Sequence, residues 1–196
     1  MKHLLLFSAA IVILLAVAGV YAGLDRFAGS PAAPANFVQN RIVLPKMTLI
    51  DHEARQHELT GELTEGALVV INFNYTTCDS ICPIGNDVMA RLHSQVDQVD
   101  GRPVRLLSIT IDPARDTVAR LNAAARQFEA GDNWLWLTGD PPDIESLLQR
   151  LDADIADIEL HDPVFLVGDV ASGRFYRSLS MPDAEELLAM LHAIAV

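Results

Sequence analysis

Apolar residues come along this chain in two kinds of run, continuous and periodic. Ala67-Leu-Val-Val-Ile-Asn-Phe-Asn74 is continuous, as a central strand covered on both faces should be. Val104–Ile111 and Trp134–Thr138 predict two more strands. Between them the spacing turns helical: Val88, Leu92 and Val96 in a helix expected from Ile84 to about Val99, then Val118, Leu121, Ala125 and Phe128. Asp116 or Thr117 would cap the second of these. Pro141-Pro142 opens a third helix, with Ile144, Leu147, Leu148 and Leu151 on its apolar side. Val164–Gly168 and Arg174–Ser178, split by Asp169-Val-Ala-Ser-Gly173, predict a hairpin, and a last helix starts at Pro182. Ahead of all these, Met47–Asp51 and His57–Leu63 read as a short antiparallel hairpin.

That order is the order of a thioredoxin-like α/β domain: a central mixed sheet flanked by helices, expected over residues 41–196. Two segments precede it. Leu4–Leu24 carries no charge and is mostly aliphatic, long enough as a helix to cross a hydrocarbon core of ~30 Å. Its length favours an uncleaved transmembrane anchor over residues 1–24 rather than a signal peptide cut after Ala22. Lys2 and His3 ahead of it would hold the N-terminus in the cytoplasm. The expectation is a single-pass protein of a bacterial inner membrane with its domain in the periplasm. Residues 25–40, rich in Ala, Pro and Gly, read as a linker.

A net charge of −12 argues against nucleic acid or anionic lipid as a partner. Nothing in the pattern asks for a second copy, so a monomer is expected. The cysteine count changes the picture more. Both cysteines of the 196-residue chain, Cys78 and Cys82, lie in "NFNYTTCDSICPIG", directly after the first strong strand. A loop leaving a central strand for a helix is where α/β folds place their chemistry. Residues i and i+4 share a helix face, and a helix N-terminus favours thiolate. Two converging thiolates suit Cu(I) or Zn, or close reversibly as a disulfide. As a staple the pair is a poor explanation, because the loop it would close is tiny.

The histidines sort by place. His93 is 11 residues beyond Cys82, ~16 Å along one helix and too far to share a metal with it. His52 and His57 sit in a polar hairpin and read as solvated, and His192 reads as a surface residue. His161 precedes a proline and the Val164 strand, and in thioredoxin-like folds that loop comes up against the cysteine loop.

"FNYTTCDSICP", "SITIDPARDT", "WLWLTGD" and the late histidine resemble, in order and spacing, the Sco/SenC family of copper-binding assembly factors for cytochrome c oxidase. The resemblance implies copper, Cu(I) or Cu(II), held by Cys78, Cys82 and His161. It implies delivery of copper or reducing equivalents to the Cu A centre of oxidase subunit II, or to another exported copper protein. It also implies Asp112, in "DPARD", as a support behind the site. Asp79-Ser80 stands where the family usually carries Pro-Asp. The alternative is a membrane-anchored thiol–disulfide oxidoreductase, with Cys78 attacking and Cys82 resolving.

Overall fold

A computed structural model describes residues 33–61, 63–153 and 163–195. The expected anchor and His161 lie outside the described residues, and no helix among those described is long and apolar enough to cross a membrane. The strands are β1 (Phe37–Arg41), β2 (Thr48–Asp51), β3 (Gln56–Glu58), β4 (Leu68–Asn74), β5 (Gln98–Val99), β6 (Arg102–Thr110), β7 (Trp134–Thr138), β8 (Phe165–Asp169) and β9 (Arg174–Ser178). The helices are α1 (Ile81–His93), α2 (Val118–Gln127), α3 (Pro141–Arg150) and α4 (Ala184–Ala195).

The sheet runs β1-β9-β8-β4-β6-β7-β2-β3, with β5 paired beside β6. β4, β6 and β7 are parallel neighbours, and the outer pairs are antiparallel. It is the expected mixed sheet with flanking helices.

Why β4 is apolar without a break from Leu68 to Ile71 follows from its two faces. Leu68 and Val70 enter one core with Met89 and Leu92 of α1, Leu121 of α2 and Leu187 of α4. Val69, Ile71 and Phe73 enter the other, with Ile144, Leu147 and Leu148 of α3. Successive strand residues point to opposite sides, so a strand covered on both needs apolar residues at nearly every position. Gly168 of β8 lies opposite Phe175 of β9, and a Cβ built there would stand 2.2 Å from the Phe175 ring. Glycine is what lets that ring lie flat against the strand.

Several expected boundaries move, and the hairpin arm read as His57–Leu63 is strand only over Gln56–Glu58. The linker read as residues 25–40 ends earlier, since Phe37–Arg41 is the edge strand β1, in register with β9 from Phe37↔Ser178 to Arg41↔Arg174. Helix α1 begins at Ile81, not Ile84, and ends at His93. Pro83 falls within its first turn, where a missing N–H breaks no helical hydrogen bond. Val96 and Val99 still reach the core, but from the loop and from β5.

Candidate metal and thiol site

β4 ends at Asn74, and α1 begins at Ile81, so the cysteine loop spans the top of the sheet between them. Cys78 sits in the loop, half-buried, and Cys82 in the first turn of α1 at 5% exposure. The structure brings the two together: the Cys82 N–H donates to Cys78 Sγ at 3.3 Å, and Ser80 Oγ lies 3.9 Å from the same sulfur. No disulfide joins them.

The two thiols are not equivalent. Burial pushes Cys78 upward, but hydrogen bonds from the Cys82 thiol and from the backbone and side chain around Ser80 outweigh it, leaving Cys78 below the ordinary thiol value. Burial pushes Cys82 up to about 12, and the hydrogen bond it makes to Cys78 adds to the rise. The helix N-terminus was expected to favour thiolate at both positions. It succeeds only where the sulfur also keeps some contact with water, because removal from water penalises the charged form.

Buried polar groups beneath the loop hold it and the helix that follows. Asp116, 1% exposed, accepts from the Thr76 N–H at 3.1 Å and 3.2 Å through its two oxygens, from the Thr76 hydroxyl, and from the Thr110 hydroxyl at 2.6 Å. Thr76 is two residues before Cys78, so the carboxylate ties the loop to the end of β6. Asp116 therefore acts on the cysteine loop, while Thr117 caps α2 through its side chain, which accepts from the Arg120 N–H at 3.4 Å. Asp112, expected behind the site, is 8% exposed and accepts from Arg115 at 2.9 Å. Further down β4, Asn72 and Asn74 both donate to Asn86 Oδ1, at 3.0 Å and 3.2 Å, fixing α1 against β4. Ser108 donates to Asn72 at 2.6 Å, and Trp134 to Ser108 at 2.8 Å, completing the chain of bonds. In the sequence Asp116 reads only as a possible helix cap, and the asparagines are not singled out. The available signal was two polar residues, two apart, inside an otherwise apolar strand.

The histidine readings come out unevenly. His52, expected in water, is 8% exposed, and its Nδ1 accepts from the Trp136 N–H at 3.3 Å. Burial holds it below the ordinary histidine value despite Asp51 and Glu53 nearby. His57 Nε2 lies 2.8 Å from Asp51, whose carboxylate is wholly buried and also takes Arg55 Nε at 2.7 Å. His93 accepts from the Gly131 N–H at 3.2 Å and packs on Trp134, a structural role. His192 is at the surface, 3.8 Å from Asp100. His161 lies outside the described residues, but Pro163, two residues on, lines a cavity of about 10 Å³ together with Cys82, Ile81 and Phe165.

Among the described residues no group of three or more His, Cys, Asp or Glu is gathered to hold a metal ion. Cys78 and Cys82 alone are a two-sulfur donor set, soft and close-set, which fits Cu(I).

Known proteins narrow the reading. A model of the SCO1/SenC family matches residues 39–169, more than half of the chain. A putative copper-binding protein of Stutzerimonas stutzeri is 28% identical over 128 residues, 65% of this chain and 61% of that protein. The mitochondrial SCO1 homolog 1 of Arabidopsis thaliana is 29% identical over 105 residues, 52% of this chain but only 30% of that protein. The chain thus spans less than two thirds of the length of these relatives. Among solved structures, Arabidopsis thaliana ScoI with copper bound superposes with a TM-score of 0.61 at 21% identity, covering 76% of this chain and 96% of that one. A SCO1/SenC family lipoprotein from Bacillus anthracis does so at 0.66 and 21%, covering 81% and 98%. Those two likenesses establish the thioredoxin-like fold. With the family model matched across the cysteine loop, the Asp116 tie and strand β8, the chain belongs to the SCO1/SenC family.

Proposed function

We propose that this protein carries one copper ion on Cys78, Cys82 and His161 and serves in the assembly of cytochrome c oxidase. The observation that carries the reading is the closeness of two unlinked thiols, with the Cys82 N–H on Cys78 Sγ at 3.3 Å. Pro163 beside Cys82 brings the chain that follows His161 to the same place. Copper is cargo here. A second soft sulfur helps to retain Cu(I), and an imidazole adds a borderline ligand that also suits Cu(II). The tie from Asp116 to Thr76 holds the loop in place, so a metal meets donors already arranged.

The recipient is oxidase subunit II or another exported copper protein. The segment 1–24 anchors the chain in a bacterial inner membrane, with the domain in the periplasm as a monomer. Anaerobic titration of the reduced chain with Cu(I), against a competing chelator, tests the site. One copper per chain is expected, with tight binding lost in Cys78→Ser and in Cys82→Ser. Undiminished binding in either variant refutes the assignment.

The inequality of the two thiols supports a second reading, thiol–disulfide exchange with a partner. A half-exposed sulfur of lowered pKa can attack, and a buried one of raised pKa can follow as the resolving thiol. A partner disulfide reduced by Cys78→Ser as fast as by the unmodified chain would rule it out.

A further inference from the structure

A cavity lies on the α2 side of the thiol pair. Its volume is about 80 Å³, and its walls include Cys78, Cys82, Tyr75, Phe128 and Trp136. Trp136 is 1% exposed, and the Phe128 ring stacks on it at 5.9 Å and 19°. Its Nε1–H meets no acceptor among the described residues. An indole nitrogen only donates, and burying it unpaired is unfavourable. The other indole of the strand, Trp134, is satisfied by Ser108 at 2.8 Å. The unsatisfied donor belongs to a residue that lines the same cavity as the two thiols.

The lining specifies what fits. No Lys, Arg, Asp or Glu lines the cavity among the described residues, so the occupant is neutral. Trp136 Nε1–H asks for an acceptor oxygen, and the stacked Phe128 and Trp136 rings for a small apolar group beside it. Amide carbonyls and ethers meet those two demands. The dithiol sets a third, a group that two thiols can reduce, and a methyl sulfoxide meets all three.

We propose that this cavity binds the methyl sulfoxide of oxidised methionine, and that Cys78 and Cys82 reduce it. The oxygen lies on Trp136 Nε1–H, with the sulfoxide sulfur toward Cys78. Two thiols and one sulfoxide give one Cys78–Cys82 disulfide, one thioether and one water. The sulfoxide sulfur gains the two electrons that the thiols lose, and the two thiol protons leave with its oxygen. The activity belongs to the reduced chain without copper and does not depend on the copper reading.

The test uses the full chain, reduced, metal-free and stripped of excess reductant under anaerobic conditions, mixed with a short peptide containing methionine sulfoxide. One thioether per chain is expected, with loss of both thiols. Trp136→Phe should slow this at least tenfold while leaving oxidation of the same thiols by glutathione disulfide unchanged. Thioether no faster than from the Cys78→Ser, Cys82→Ser double variant overturns the proposal, as does equal slowing with both oxidants. On the unmodified fold, dimethyl sulfoxide should shift the Trp136 indole N–H resonance at lower concentration than N-methylacetamide does. An unmoved resonance, or equal response to the amide, overturns the assignment of the cavity.

Discussion

Replacing Asp116 by alanine should loosen the cysteine loop more than any change of equal size on the surface. The carboxylate takes three donors, the Thr76 N–H, the Thr76 hydroxyl and the Thr110 hydroxyl. Hydrogen bonds to a charged group contribute about 1.5–3 kcal/mol each. The two hydroxyls can turn to other acceptors, so their loss is partly recovered, whereas the Thr76 N–H cannot turn. A net loss of about 3–5 kcal/mol follows, at the upper end for single substitutions. Asp116→Asn should cost less, about 1–3 kcal/mol, since its carbonyl oxygen still accepts from the Thr76 N–H, while its NH2 removes one acceptor and obliges a threonine hydroxyl to turn. Urea unfolding followed by tryptophan fluorescence reads both, with Trp134 and Trp136 in the core. Cu(I) affinity should fall with them, by about 10–100-fold for the alanine variant, as is usual when the residues holding metal ligands are removed. If Asp116→Ala unfolded at the same urea concentration as the unmodified chain, the tie would not bear on the loop and the reasoning from those distances would fail.

Acid should expose a second buried carboxylate. Asp51 lies at about 2 rather than 3.8, because bonds from His57, Arg55 and Glu53 outweigh a burial that would raise it. A lowered pKa contributes stability that is complete above the unfolded value, near 4, and is lost as pH falls toward 2. That contribution is about 2 kcal/mol. Unfolding curves between pH 5 and pH 2 should therefore be flatter for Asp51→Asn, and parallel curves would contradict the assignment. Alkylation of the native chain near neutral pH should modify Cys78 well before Cys82, read by mass spectrometry of peptides. Equal rates would show that the burial of Cys82 does not protect it.

How legible all this was in the sequence depended on where each residue's partners lie. β4, β6 and β7 are covered on both sides, so their own composition announces them, and each was found within two residues of its ends. β1 carries one buried residue, Phe37, among four more exposed ones, and pairs with β9 more than a hundred residues away. No local pattern marks such an edge. His52 looked solvated because its neighbours in sequence are polar, yet β7 closes over it from across the fold. Asp116 looked like a helix cap for the same reason. Its real partners, Thr76 and Thr110, come from two other segments. The cysteine pair was legible because its chemistry is local: two thiols four residues apart at the mouth of a strand. The inequality between them was not, since it comes from how deeply α1 packs Cys82 against β4 and β8.

The central claim, copper held by two sulfurs and one imidazole, is tested most directly by the Cu(II) spectrum of the full chain with and without His161. The account predicts intense sulfur-to-copper charge-transfer absorption at one Cu(II) per chain. In His161→Ala that absorption should be lost while a weaker two-sulfur Cu(I) site survives. An unchanged Cu(II) spectrum and unchanged affinity in His161→Ala would contradict it.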